Sequence, residues 1–194
     1  MDYHPILGAI GGVLAIAAIV PYLRDVFRGT TRPNFVSFFI WELLLIISLT
    51  AQMSAGASWS AILLIGDLIG NSTALVICLM GYGYKKYGWL EWTCLGLAIV
   101  AIIAWQLTHQ PVLAIMFAIV ADAMAAIPTL AKAWRDPWSE YPVTWLMIAA
   151  GGLCAVLATT IHNPANLLFP SYLLVVNGVI GFSALIGRAV KKRP

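Results

Sequence analysis

The sequence predicts an all-α polytopic membrane protein: seven transmembrane helices, built as two parallel three-helix repeats joined by a linker helix. Three observations carry this reading. The chain is 61% hydrophobic and only 10% charged, with a mean hydropathy of +0.90, whereas a soluble domain carries about 25% charged residues. Its 11 Lys and Arg residues all follow alternate apolar segments. Residues 21–37, PYLRDVFRGTTRPNFVS, are echoed without a gap by residues 128–144, PTLAKAWRDPWSEYPVT, where Pro21, Leu23, Arg28 and Val36 meet identical residues.

A helix needs roughly 20 apolar residues to cross the hydrocarbon core. Segments at about 5–24, 35–54, 59–82, 90–108, 111–133, 142–161 and 165–188 meet that need. The breaks between them are rich in turn residues and charge: RDVFRGTTRPN, SAGAS, YGYKKYG, THQP, KAWRDPWSEYP and HNPAN. The first segment has no basic region before it and no small-residue cleavage site after it, so it reads as a retained span. Trp59, Trp89, Trp92, Trp134 and Trp138 lie near span ends, where an interfacial belt places them.

Charge then orients the bundle. Arg24, Arg28 and Arg32 follow the first span, Lys85 and Lys86 the third, and Lys132 and Arg135 the fifth; Arg188, Lys191, Lys192 and Arg193 end the chain. With seven spans, all of these fall on one side. The positive-inside rule puts that side, and the C-terminus, in the cytoplasm and the N-terminus outside. Short loops and small size fit a bacterial inner membrane.

The repeat divides the chain into 1–84, the first three-helix unit, 85–110, the linker helix, and 111–194, the second unit with a basic tail. An odd linker span leaves the two units parallel, related by an axis along the membrane normal. After a three-residue shift the third spans match too: LIGDLIGNSTAL at 64–75 lies on LVVNGVIGFSAL at 174–185, and Asp67 falls on Asn177.

This layout, and a proline-to-hydroxyl stretch in each half, resemble the PQ-loop and SWEET superfamily. Pro21-Tyr22 and Pro128-Thr129 stand where that family opens its motif with Pro-Gln, and Ser37 and Thr144 keep the closing hydroxyl. The resemblance implies a small-solute carrier. It also implies a substrate-facing position at Asn177, with Asp67 in place of a second asparagine, and prolines in the first helix of each half at Pro21 and Pro128.

Three acids lie inside predicted spans: Glu42, Asp67 and Asp122. A carboxylate at the bilayer centre costs roughly 2.5–3.5 kcal/mol on insertion scales, so it needs a wet cavity, a partner or a proton. Asp67 and Asn71 share a helix face at i, i+4. With Asn177 they form the candidate substrate site, and Trp41 and Trp145, at comparable depth, are candidates to stack on a ligand. Asp122, six residues before Pro128, and Glu42 are the candidate proton-coupling groups; snorkelling of Glu42 to Arg28 or Arg32 is the bland alternative. Pro21 and Pro128 are the candidate hinges. Interhelical hydrogen bonding is the structural alternative for the polar cluster.

The remaining chemistry-bearing residues read as structural. Cys78, Cys94 and Cys154 sit in apolar stretches with no zinc or redox spacing. His4, His109 and His162 are scattered near outer span ends. Gly8-x-x-x-Gly12 and Gly66-x-x-x-Gly70 allow close helix approach. There is no G-x-S-x-G, H-E-x-x-H or P-loop, so no enzyme is expected. The expectation is a carrier of a small polar solute, with no cofactor and no nucleic acid, in contact with the lipid bilayer and with homo-oligomerisation left open. The alternative is a non-transporting seven-helix receptor, scaffold or complex subunit.

Overall fold

A computed structural model shows an all-helical chain. It describes residues 2–29, 33, 35–56, 58–83, 88–135 and 137–191; within helices, the side chains of Val36, Pro128, Lys132 and several residues of 90–105 lie outside the description. The helices are α1 (His4–Phe27), α2 (Phe35–Ser54), α3 (Ala61–Ile77), α4 (Trp89–Thr108), α5 (Pro111–Arg135), α6 (Pro142–Ala158) and α7 (Pro164–Val190). A widened turn, Cys78–Tyr82, extends α3, and a short 3-10 turn, Pro137–Ser139, precedes α6. Five helical stretches are long and apolar enough to cross a membrane: His4–Phe27, Ser37–Ser54, Ala61–Tyr82, Pro111–Arg135 and Pro164–Val190. α6 is apolar but has only 17 residues. It stops three residues before the predicted segment does, because Thr159 turns extended at φ −68°, ψ 121°.

α1 buries small residues and presents large ones. On α1 the buried residues include Gly8, Gly11, Gly12, Ala15 and Ala18, while Ile6, Ile10, Val13 and Val20 are exposed. Apolar side chains gain nothing by leaving lipid, so backbones that approach closely over small residues win the interior. α1 lies against α3 and α6, α5 against α4 and α7, α2 against α3 and α5, and α6 against α7. At the α1–α3 crossing Gly12 meets Gly66 so closely that a Cβ on Gly66 would lie 2.3 Å from the Gly12 carbonyl oxygen. At α1–α6, a Cβ on Gly11 would lie 3.1 Å from the Gly151 carbonyl oxygen.

The described basic residues gather at one end of the bundle. Lys191 Nζ donates to the Trp134 carbonyl at 2.6 Å and the Arg135 carbonyl at 3.0 Å. Arg188 donates through Nε to the Pro137 carbonyl and through Nη2 to the Glu140 carbonyl, and it lies over the Trp138 ring. Arg24 lies over the Tyr141 ring. The C-terminal ends of α1, α5 and α7 therefore meet at one rim. Lys85, Lys86, Arg32, Lys192 and Arg193 lie outside the described residues.

Candidate functional site

A cavity of about 680 Å³ runs into the bundle from this basic rim. Its lining passes from Asp25, Glu140, Tyr141 and Arg188 at the rim to Asp67, Asp122, Leu44 and Phe169 deeper among the helices. Of the residues singled out in the sequence, Asp67, Asn71, Asp122, Asn177, Trp41 and Trp145 all line it. Six helices from both ends of the chain thus bring the expected polar residues into one space.

The lining follows the internal offset of the sequence. At 107 residues apart, Ala15 and Asp122, Ile19 and Ala126, Tyr22 and Thr129, and Ser37 and Thr144 are all on the wall. At 110 apart, so are Asp67 and Asn177. The two tryptophans do not correspond to each other: Trp41 falls on Ile148 and Trp145 on Phe38, and all four line the cavity. Tyr22, Phe38 and Trp41 form an aromatic wall, with ring centroids 5.6 Å and 5.3 Å apart in succession. Trp145 is pinned from the rim, donating Nε1 to Glu140 Oε2 at 3.1 Å.

The three intramembrane acids have three different settings. Glu42 does not line the cavity. It turns to α3, where Ser72 Oγ donates to its Oε1 at 2.5 Å and Asn71 Nδ2 to its Oε2 at 2.6 Å. Asn71 Nδ2 also donates to the Phe38 carbonyl at 2.9 Å. Among the described residues Glu42 has no ion pair with an arginine, because the two donors on the neighbouring helix are nearer than the loop cations. Asp122 accepts a hydrogen bond from the Tyr172 hydroxyl on α7. Asp67 makes no hydrogen bond to another described residue, and its carboxylate faces the cavity. Asn177, only 5% exposed, donates Nδ2 to the Leu173 carbonyl of its own helix.

Asp67 and Asn71 therefore share a cavity face without bonding to each other, and neither bonds to Asn177. The sequence reading missed Tyr172 and Ser72. Tyr172 looked like one more member of an apolar run, and its counterpart 110 residues earlier is Ile62, so the repeat gave no signal for it. Neither candidate hinge interrupts its helix: α1 is helical through Pro21 and α5 through residue 128. Proline at 21 lacks the N–H that would bond the Ala17 carbonyl. The Pro128 side chain is outside the described residues.

The other end of the bundle is tied shut. The α2–α3 loop and the α6–α7 loop are joined by Ser58 Oγ, which accepts from the Thr160 backbone N–H at 2.8 Å and lies 3.3 Å from Thr160 Oγ1. Asn163 Nδ2 donates to the Ala55 carbonyl and Asn166 Nδ2 to the Gly56 carbonyl, each at 3.1 Å. Gly56 adopts φ +85°, a left-handed conformation that glycine alone takes without penalty. Asn163 also caps α7, accepting from the Asn166 N–H. At the same end Ser48, Gln52 and Ser60 are fully buried, and their side-chain polar atoms have no partner among the described residues.

In a cysteine-free background, Ser58→Cys with Thr160→Cys is expected to form a disulfide readily on mild oxidation, read as a mobility shift after cleavage between the two loops. Failure to cross-link would mean that the two loops are not joined.

Comparison with known proteins adds no relative: no family model, curated protein or solved structure matches the chain.

Proposed function

We propose that the protein is a seven-span membrane carrier that moves a small polar solute by alternating access. In this reading residues 1–84 and 111–194 are two three-helix halves, 85–110 is the linker helix, the N-terminus is outside and the basic C-terminal rim faces the cytoplasm. One observation carries it: corresponding positions of both halves line a single polar cavity that reaches the basic rim, while the opposite end is tied shut. A cavity open at one end only is one of the two states that alternating access requires. The helix contacts support two related halves. Exchanging α1, α2 and α3 for α5, α6 and α7 turns the α1–α3 contact into α5–α7, α2–α3 into α6–α7, and α1–α6 into α5–α2, and each of these pairs is in contact.

The rocking step follows from where the halves touch. Near the tied end, α1 and α6 meet over Gly11 and Gly151. Breaking the loop clasp there while closing the rim around Tyr22, Trp41 and Trp145 would pass the cavity from one side of the bilayer to the other. Asp67 is the substrate-binding carboxylate, aided by Asn71, Asn177, Trp41 and Trp145. Asp122 is the proton site, because Tyr172 can release or take up its hydrogen bond as α5 and α7 slide. Glu42 acts through Asn71 by fixing its amide. Pro21 and Pro128 supply the unbonded carbonyls at which α1 and α5 bend.

The test is solute and proton flux in proteoliposomes, with Asp67→Asn and Asp122→Asn beside the wild type. Asp67→Asn is expected to cut solute flux by at least about tenfold, the loss of one charge-assisted hydrogen bond. Asp122→Asn is expected to leave solute binding intact and abolish solute-dependent proton movement. Flux without protons, insensitive to Asp122→Asn, would make the protein a uniporter. No flux with any solute, from protein shown to be folded, would favour a non-transporting receptor, scaffold or subunit.

A further inference from the structure

Around Asp67, Asn71 and Asn177 the hydrogen-bonding capacity left free is mainly that of acceptors. Asn71 spends its amide N–H groups on the Phe38 carbonyl and on Glu42, and Asn177 donates Nδ2 to the Leu173 carbonyl. Because these partners are acceptors, the orientation of both amides is fixed. Asn71 Oδ1, Asn177 Oδ1 and the Asp67 carboxylate, on three residues of the cavity wall, are reached by no donor among the described residues. The two asparagines are themselves only 7% and 5% exposed, so these acceptors are held in place within the fold and not on its surface.

The charge balance points the same way. The charged residues on the wall are Asp25, Asp67, Asp122, Glu140 and Arg188. Asp25 pairs with Arg24 at 3.0 Å. Arg188 is anchored at the rim by two backbone carbonyls and the Trp138 ring. No Lys or Arg lines the deep part, where Asp67 and Asp122 sit. A cleft of one sign between low-dielectric walls concentrates counter-ions by roughly 10–10³-fold. Beside the carboxylates stands the Tyr22–Phe38–Trp41 wall, whose ring faces attract cations.

We propose that the cavity selects a small organic cation carrying N–H donors, such as a protonated amine, with its charge on Asp67, Asn71 and Asn177 and its apolar part on the Tyr22–Phe38–Trp41 wall. This rests on the carrier reading in one respect, that the cavity is open to water. The donor count separates such a ligand from a quaternary ammonium ion, which has charge but nothing to offer three acceptors. It also disfavours carboxylates and phosphates at this cluster, where they would meet the Asp67 carboxylate and two amide oxygens.

The experiment places a reporter thiol on the wall. Ala126, one turn from Asp122 on the same face, lines the cavity and is replaced in Ala126→Cys, with the three native cysteines changed to alanine. The purified protein is treated with trimethylammonioethyl or sulfonatoethyl methanethiosulfonate, and the two rates are each divided by the rate with a free thiol in solution. The cationic reagent is expected to win by at least about tenfold, and the preference is expected to shrink in Asp67→Asn. Asp67 has no protein hydrogen bond to lose, so that variant keeps its fold, and the first ratio does not depend on it. Equal corrected rates would overturn the cation preference while leaving an open cavity. No reaction with either reagent would instead overturn the water-accessible cavity on which the carrier reading stands. Millimolar butylammonium is expected to slow modification more than equal tetramethylammonium; equal protection, or none from either salt, would overturn the requirement for a donor-bearing cation.

Discussion

Gly66→Ala is expected to unfold the α1–α3 interface, whereas Gly96→Ala leaves stability unchanged or slightly raised. A Cβ at position 66 would sit 2.3 Å from the Gly12 carbonyl oxygen and 2.8 Å from the Gly12 Cα. Both are backbone atoms, so no side chain can rotate away; α1 and α3 must separate. Overpacking of this kind costs about 1–3 kcal/mol where neighbours yield, and here they do not. Separation would also carry α1 away from Ile62, whose Cγ2 and carbonyl oxygen lie 2.8 and 2.9 Å from where a Cβ on Gly12 would stand. At Gly96 nothing lies within 4 Å of the added methyl, and alanine is about 1 kcal/mol better than glycine inside a helix. Thermal unfolding of the two purified variants in one detergent checks the contrast. A Gly66→Ala protein that melts with the wild type would show that α1 and α3 do not cross at these glycines.

Asn71→Leu is expected to destabilise the protein by about 1–3 kcal/mol, the cost of taking the donor from a buried or part-buried acceptor. The amide serves two acceptors at once. Its loss leaves the Glu42 carboxylate on Ser72 alone and removes the additional donor at the Phe38 carbonyl, which lies inside α2. Leucine fills the volume but supplies no N–H, so the penalty is that of a lost donor and not of a cavity. Asn177→Leu is the control: it removes one bond to a carbonyl of its own helix and should cost about 1 kcal/mol. Combining Asn71→Leu with Glu42→Leu should recover much of the loss, since two apolar side chains then face each other. A double variant no more stable than Asn71→Leu alone would show that Glu42 is not what Asn71 stabilises.

Much of this architecture was legible from the order of residues. Each helix lies where an apolar run lies, and α2 ends at Ser54 and α4 at Thr108, as their segments do. The cavity acids were legible for an energetic reason. Asp67 and Asp122 are expensive inside a bilayer, so their presence in apolar runs already required a space or a partner. The structure divides the two answers between them, a space for Asp67 and a tyrosine for Asp122. What stayed hidden depends on contacts between distant segments. The Ser58–Thr160 and Asn166–Gly56 contacts join residues 102 and 110 positions apart, and no local period marks such pairs. Glu42 was misleading for the same reason. Its nearest cations in sequence, Arg28 and Arg32, lie in the preceding loop, yet its partners come from a helix turn about 30 residues on.

The unanswered polar side chains at the tied end bear on how readily the molecule changes state. Ser48, Gln52 and Ser60 have no protein partner there among the described residues, and a buried polar group without a partner costs about 1–3 kcal/mol. Water entering on release of the loops would answer all three. Against that stand the few hydrogen bonds of the clasp, each worth about 1 kcal/mol net. In the carrier proposed above, sums of the same size would leave the two ends of the transition close in free energy. A ligand then needs only a modest difference in affinity between them to move the population. A disulfide between positions 58 and 160 would fix that balance at one extreme without touching a residue of the cavity.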